Sequence, residues 1–258
     1  MQASNPSAVI TTSTHGLKHG TVQVPVHDGS MEAYYAAPDR EGRFPVVLVV
    51  QEIFGLHEHI RDICRRFAQE GYLAIAPQLY QRQGDASQYS EIPVLIEKIV
   101  SKVPDTQVMQ DLDASLVWAG LHGGDLSRVA VTGYCWGGRI TWLYAAYQPK
   151  VKAGVAWYGR LVTGHGPLQT THPVDVTYRL HAPVLGLYGG KDAGIPMADV
   201  QKMRESLQHG NAQAKASDIH VYQDADHAFY ADYRPSYLKP AADDAWKRCL
   251  AWMARHLG

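Results

Sequence analysis

Residues 131–140 read VTGYCWGGRI. They place Cys135, one of three cysteines in the chain, between Gly133 and Gly137, where the apolar run RVAVTG gives way to a helical pattern. Glycines two residues before and two after the cysteine let neighbouring backbone segments pass without a Cβ clash. The pattern predicts a sharp strand-to-helix turn that lifts the Cys135 side chain above the end of a buried strand.

Such a turn suits a reactive thiol. A cysteine at the N-terminus of a helix lies at the positive end of the helix dipole, which favours its thiolate form. The backbone N–H of Trp136 would point at an oxyanion that develops beside the sulfur. The strand–turn–helix context is that of the nucleophile elbow, in which serine is the usual residue. Ordinary packing of Cys135 at the end of a strand is the alternative that the pentapeptide alone leaves open.

Strand-like and helix-like patterns alternate on both sides of this turn. The strand-like runs are TVQVPV and MEAYYAA around an Asp-Gly turn, then FPVVLVVQ, YLAIAPQLY, RVAVTG, AGVAWY, APVLGLYG and SDIHVYQ. Helical periodicity follows at 59–70, near 91–102, at 107–121, after Cys135 and near 241–256. The alternation predicts an α/β protein with a mostly parallel central sheet and helices on both faces.

Composition limits the class of protein. Hydrophobic residues make up 46% of the 258 residues and charged residues 19%, which is typical of a chain with a sizeable core. No linker rich in Pro, Gly or Ser divides the chain, so we expect one domain over residues 20–258 after a flexible polar tail, 1–19. The formal net charge of −1 argues against nucleic acid or an anionic membrane as a partner.

The same sequence suggests a location. No apolar stretch reaches the roughly 18 residues that a membrane span needs, and the N-terminus lacks the apolar core of a signal peptide. Three widely spaced cysteines do not form a disulfide framework. We therefore expect a cytoplasmic protein, either a monomer or a small homo-oligomer.

A thiol nucleophile needs a base, and the base needs a group that orients it. Asp192 follows the strand-like run APVLGLYG, and His227 follows IHVYQ, with Asp226 directly before it. Both segments come at the carboxyl ends of predicted strands, where open parallel sheets bind ligands. The order cysteine, aspartate, histidine is that of the α/β-hydrolase triad. Asp226 is the weaker candidate acid, because side chains of adjacent residues diverge.

At this point the sequence resembles the dienelactone hydrolase (carboxymethylenebutenolidase) family, over nearly the whole chain from about Gly20. The resemblance rests on the blocks VVQEIFGLHEHIRDICRRFAQEGYLAIAPQLYQRQGD, GYCWGG, LGLYGGKD and DADHAFYADYRPSY. It implies an α/β-hydrolase fold. It also implies a triad in which Cys135 is the nucleophile, His227 the base and Asp192 its partner.

The resemblance implies further roles. Glu52 would lie beside the resting thiol and keep it protonated, and the N–H groups of Ile53 and Trp136 would form the oxyanion hole. Arg82 would bind a carboxylate of the substrate. The family's second carboxylate-binding arginine falls at Ala231 here, which predicts weaker selection for acidic lactones.

Other residues near the predicted strand ends are candidates for the substrate pocket. Aromatic rings there could line an apolar cavity or belong to the ordinary core. Two arginines could bind an acidic group, although a solvated surface position is the simpler expectation for each. These candidates are Tyr80, Trp157, Tyr158 and Phe229 among the aromatic residues, and Arg160 and Arg234 among the cations.

The sequence thus predicts a cofactor-independent hydrolase of a lactone or small ester, which acts through a Cys-His-Asp triad and an acyl-thioester intermediate. The alternative is a non-catalytic redox sensor on the same scaffold, with Cys135 as its thiol. A metal-dependent hydrolase that uses His57 and His59 is a more distant reading, because no third ligand completes the pattern. We therefore expect no metal and no cofactor, and a small molecule as the partner.

Overall fold

The architecture is an eight-stranded sheet. The computed structural model of the chain describes residues 9–258. The strands lie in the order β1-β2-β4-β3-β5-β6-β7-β8. Their bounds are β1 Leu17–Val26, β2 Gly29–Pro38, β3 Phe44–Val50, β4 Leu73–Pro77, β5 Gly124–Tyr134, β6 Val151–Trp157, β7 Val184–Gly189 and β8 Asp218–Tyr222.

The sheet is antiparallel only at one edge. β1 pairs with β2, and β2 with β4, in antiparallel fashion. All the other neighbouring strands, from β4 with β3 to β7 with β8, pair in parallel. β3, β4 and β7 read as unbroken apolar runs because the sheet is covered on both faces, and almost every residue in them is buried. The parallel strands β3 to β8 therefore end at one edge, and the loops that follow them meet there.

Helices cover the two faces of the sheet. The α-helices are α1 Glu58–Gln69, α2 Ile92–Lys98, α3 Asp105–Leu121, α4 Trp136–Tyr147, α5 Met197–His209, α6 Ala212–Lys215 and α7 Lys239–Leu257. Short 3-10 helices lie at Ala86–Gln88, Val100–Lys102, Pro173–Asp175 and Thr177–Arg179. None of the helices in residues 9–258 is long and apolar enough to cross a membrane.

The predicted α/β architecture is confirmed, with local differences. The helical pattern near 91–102 divides into α2 and a 3-10 turn, and α5 was not predicted. β1 begins at Leu17, ahead of the domain boundary expected at residue 20, because it pairs with β2 along its full length. The backbone N–H of Thr12 also donates to Asp62 on α1 (2.7 Å), so the end of the expected tail contacts the domain. Residues 1–8 of that tail lie outside the described residues.

Candidate active site

The strand-to-helix turn at Cys135 is as tight as the sequence predicts. Cys135 lies between β5 and α4 with φ 54° and ψ −112°, a conformation that residues with a Cβ rarely adopt. A Cβ at Gly133 would lie 2.1 Å from the carbonyl oxygen of Gly137, and one at Gly137 would lie 2.5 Å from that of Gln51. Only glycine fits either position, so the two glycines make the turn possible.

Three of the predicted residues meet at this turn. His227 Nε2 lies 3.1 Å from Cys135 Sγ, and His227 Nδ1 donates to Asp192 Oδ2 at 2.7 Å. The other carboxylate oxygen of Asp192 accepts from the backbone N–H of Gly194 at 2.8 Å, which fixes the carboxylate. Asp226 is exposed, and its side chain accepts from the backbone N–H of His227 rather than from the ring. Asp192 is therefore the carboxylate that orients the imidazole.

The surroundings of His227 favour its protonated form. Burial alone would lower the pKa of His227. The negative charge of the Cys135 thiolate and the hydrogen bonds with Asp192 and Cys135 outweigh burial and raise this pKa to about 10. With such a pKa, the His227 imidazole is protonated at neutral pH and can donate to Cys135 Sγ.

Two backbone N–H groups lie beside the thiol. Trp136 is the first residue of α4, so its N–H has no acceptor within the helix. Ile53 lies three residues beyond the end of β3 and lines the same cavity as Cys135. Neither N–H donates to another group in the described part of the chain. Both are therefore free to donate to a ligand.

Cys135 opens into a cavity of about 300 Å³. Its wall combines isoleucine side chains with cationic and imidazole groups, and Cys135, Asp192 and His227 lie on one side. The remaining lining residues are Ile53, Ile92, Ile96, Tyr158, Arg160, His165, Ala193, Gly194, Ile195, Asp226 and Arg234. The volume suits a small organic molecule.

The simpler expectation from the sequence places Arg160 and Arg234 on the solvated surface. In the structure both side chains line the cavity and are half-buried. Arg160 donates to the carbonyl oxygen of Gly164 (2.8 Å), and the guanidinium of Arg234 lies over the Phe54 ring (5.7 Å). Neither forms an ion pair with a carboxylate within residues 9–258. The cavity therefore has two cations available to an anionic group.

Arg82 is not brought to the cavity. Its guanidinium donates to Asp28 at 2.6 and 2.7 Å and to Asp111 at 2.8 and 3.1 Å. Asp111 is fully buried, so this arginine compensates a carboxylate that would otherwise be unpaired. The assignment of Arg82 to substrate binding is therefore a poor fit, because both edges of its guanidinium are occupied.

The predicted aromatic residues divide between the cavity and the core. Tyr158 lines the cavity and contacts the His227 ring edge-on, with ring centroids 5.3 Å apart. Tyr80 packs against Trp136 (5.1 Å) and Phe229 against Tyr158 (5.4 Å), and neither lines the cavity. Trp157 is also core, since it is fully buried and its indole N–H donates to Thr132.

Glu52 makes no hydrogen bond with the thiol that it is expected to lie beside. It is fully buried after β3, and its Oε2 atom accepts from the Tyr233 hydroxyl (2.6 Å) and lies 3.1 Å from His57 Nε2. The hydrogen bond of Cys135 Sγ goes to His227 instead. His57 is therefore a partner of this carboxylate, and His59 is paired with Asp232 (3.3 Å). Residues 9–258 contain no cluster of three or more metal-ligating side chains.

Sequence reasoning missed several residues of this region. Ile92 and Ile96 of α2 lie one helical turn apart and line the cavity, a spacing visible in the sequence. His165 comes from the long connection after β6, and no pattern marks it. Tyr233 is 181 residues from Glu52, so only the folded structure reveals their contact.

The comparisons with known proteins show the family of this chain. The model of the "Dienelactone hydrolase family" matches residues 31–257. The chain belongs to this family. A protein of Yersinia pestis named "Putative carboxymethylenebutenolidase" is 55% identical over 244 residues, which cover 94% of this chain and 90% of that protein. The expectation of an ester-bond hydrolase is thus confirmed at the level of the family.

Solved structures agree with this membership. A Klebsiella pneumoniae crystal structure, described as a "Putative Dienelactone Hydrolase", is 56% identical, with a TM-score of 0.89 over 92% of this chain and 98% of that one. A dienelactone hydrolase-like promiscuous phosphotriesterase from metagenomic libraries shares 19% identity and a TM-score of 0.72 over 94% and 100% of the two chains. The second likeness shows the fold alone, and the two together confirm an α/β-hydrolase fold for this member of the dienelactone hydrolase family.

Proposed function

We propose that this member of the dienelactone hydrolase family hydrolyses a lactone or small ester by nucleophilic catalysis, with no cofactor. The observation that supports the proposal is the hydrogen-bonded series Asp192–His227–Cys135. Cys135 lies at a strained turn, and its side chain lines the cavity. A nucleophile, a base and a group that orients the base are the parts that acyl transfer needs.

In the proposed reaction the Cys135 thiolate attacks the carbonyl carbon of the substrate. The carbonyl oxygen becomes an oxyanion and accepts hydrogen bonds from the N–H groups of Ile53 and Trp136. The bond between the acyl carbon and the alkoxy oxygen then breaks, and His227 gives its proton to the departing oxygen. The product of this step is an acyl-thioester on Cys135, with the new hydroxyl still attached to the acyl chain if the substrate is a lactone.

Water completes the cycle. His227, now neutral, takes a proton from a water molecule that attacks the thioester carbonyl. The bond from carbon to sulfur breaks, the acid leaves, and the thiolate and imidazolium are restored. Asp192 holds the imidazole in one orientation through both steps.

The intermediate can be trapped directly. Mixing the enzyme with a chromogenic aryl ester should give a rapid burst of the phenol, followed by a slower steady rate, because acylation precedes hydrolysis of the thioester. Mass spectrometry of the quenched enzyme should find the acyl group on the peptide that contains Cys135. Turnover that is lost on adding a chelator, or that proceeds with no acyl group on Cys135, would contradict the proposal.

The redox-sensor alternative has little in its favour. Cys64 and Cys249 are fully buried and neither is disulfide-bonded, so neither is available as a resolving thiol for Cys135. Burial also raises the pKa of both of these thiols.

The charged residues of the cavity also suggest a substrate that carries a carboxylate. The relatives named carboxymethylenebutenolidase suggest a lactone that carries a carboxylate. In this chain Arg82 is occupied and Ala231 is fully buried, so neither position can bind that group. We assign this role to Arg160 and Arg234, which are the arginines of the cavity wall.

Replacing Arg234 with alanine is expected to raise KM for a carboxylate-bearing lactone roughly tenfold, since a hydrogen bond to a charged group is worth about 1.5–3 kcal/mol. KM for a neutral ester of similar size should change little. Steady-state kinetics on the matched pair of substrates measure the difference. Arg82→Ala is the control, and it should affect both substrates equally. Selective loss of the acidic substrate in Arg82→Ala, with none in Arg234→Ala, would reverse the assignment.

A further inference from the structure

Glu52 occupies an unusual position for a carboxylate. Val50 of β3 is paired with Gly133 of β5, and Glu52 and Cys135 each lie two residues beyond this pair. The two residues therefore leave the ends of neighbouring parallel strands side by side. Tyr158 lines the same cavity as Cys135, and burial, followed by the charges of Glu52, Tyr134 and Cys135, raises its pKa. The carboxylate is thus close to the thiol, although the two are not hydrogen-bonded.

Two side chains hold Glu52 in this position. The Tyr233 hydroxyl donates to Glu52 Oε2 at 2.6 Å, and His57 Nε2 lies 3.1 Å from the same atom. The rings of His57 and Tyr233 meet edge-on with their centroids 5.2 Å apart. Both rings are partly exposed, while Glu52 is fully buried beneath them. We call this pair of rings, His57 and Tyr233, the carboxylate clamp.

The clamp is itself anchored. His57 directly precedes α1, and Tyr233 lies in the segment between His227 and α7. Next to Tyr233, Asp232 accepts from Arg66 of α1 at 2.5 Å and lies 3.3 Å from His59. The Arg66–Asp232 ion pair and the approach of His59 to Asp232 tie the segment that carries Tyr233 to α1, which begins directly after His57.

The clamp provides hydrogen-bond partners for only one of the two carboxylate oxygens of Glu52. Oε2 has two partners, whereas Oε1 is buried with no hydrogen-bond partner in the described residues. Burial alone would raise the pKa of Glu52, but the hydrogen bond from His57, the charges of His59 and His57, and the hydrogen bond from Tyr233 hold it at about 2. The carboxylate is therefore ionised at neutral pH, and its charge must be compensated by the donors around it.

We infer that Tyr233 and His57 are positioning residues that keep the Glu52 carboxylate away from the Cys135 thiol. While the clamp holds, the proton of the thiol passes to His227, and the thiolate is available for attack. Without the clamp, the buried carboxylate lacks its donors, and the S–H group at the end of the neighbouring strand can replace them. A carboxylate that accepts from the thiol keeps it protonated and unreactive. The inference rests on the proposed role of Cys135 as the nucleophile.

Tyr233→Phe removes one donor and keeps the ring. Alkylation of Cys135 by iodoacetamide at pH 7, without substrate, is expected to slow by roughly tenfold, with a pH profile shifted upward by about one unit. Inactivation by peroxide should slow in parallel, because peroxide attacks the thiolate. His57→Ala should act in the same direction, and His57→Gln should restore part of the rate because its amide can still donate. Tyr237→Phe is the matched control, as it alters a nearby hydroxyl that makes no hydrogen bond within the described residues.

A double variant decides whether Tyr233 acts through Glu52. Glu52→Gln removes the charge, and its Cys135 should be alkylated at least as fast as that of the wild type. In Glu52→Gln/Tyr233→Phe the rate should follow Glu52→Gln, because no carboxylate remains to capture the thiol proton. A tenfold slowing that persists in the double variant, or an unchanged profile in Tyr233→Phe, would overturn the inference.

The same assay separates this inference from the proposed function. Alkylation reports on the thiol and requires no turnover. Hydrolysis that survives in Cys135→Ala would remove the proposed mechanism, whatever the clamp variants do. Normal dependence on Cys135 with no effect of the clamp variants on alkylation would remove the clamp alone.

Discussion

Hydrolysis should disappear when Cys135 is replaced by alanine, with turnover falling by roughly 10⁴-fold or more, as in other enzymes that lose their nucleophile. No other thiol can take over. Cys64 and Cys249 are fully buried, and burial raises the pKa of both. Steady-state rates on an aryl ester and on a lactone panel measure the loss, and circular dichroism checks that the fold is intact.

The other two cysteines provide the controls. Cys64→Ala and Cys249→Ala each remove one buried side chain and should lower the free energy of unfolding by about 1–3 kcal/mol. Their turnover should remain near that of the wild type at temperatures where they are folded. Wild-type rates in Cys135→Ala on every accepted substrate would refute the thiol mechanism.

Replacing Asp192 with asparagine should lower kcat by roughly 10²–10⁴-fold with little change in the fold, by analogy with serine triads. The carboxylate accepts from His227 Nδ1 at 2.7 Å, and an amide in its place can instead present a donor and favour the wrong tautomer. Single-turnover acylation rates measure the effect with the least interference from product release.

Asp226→Asn is the matched control. Its side chain contacts only the backbone N–H of His227 and is exposed, so kcat should change by no more than a few-fold. A larger loss in Asp226→Asn than in Asp192→Asn would show that the wrong carboxylate had been chosen.

The sequence predicted the parts of the fold that depend on local pattern. Unbroken apolar runs indicated the parallel strands, and Gly133 and Gly137 indicated the turn at Cys135. α5 was missed although its buried residues Val200, Met203 and Leu207 recur at helical spacing. That spacing is visible in the sequence and is typical of an amphipathic helix.

The parts of the site that could not be predicted depend on contacts between distant segments. Arg82 appeared available for a substrate because its partner Asp28 lies 54 residues away, in the turn between β1 and β2. The Tyr233 contact with Glu52 spans 181 residues. No spacing rule reaches so far, since such pairs are set by how strands and loops meet in three dimensions. The roles of the triad and of Glu52 stay predictions until the variants are measured.

The backbone around the site has a consequence for engineering. In residues 9–258, the non-glycine residues with positive φ are Cys135, Tyr158 and Ala228, at φ 54°, 38° and 60°. Each lies at or beside the catalytic candidates, and such conformations are unfavourable by about 1–3 kcal/mol each. Glycine would relax them without altering the chain path. A screen that rewards heat resistance alone would therefore tend to replace Cys135 with glycine, so libraries evolved for robustness need a parallel selection for turnover to retain the thiol.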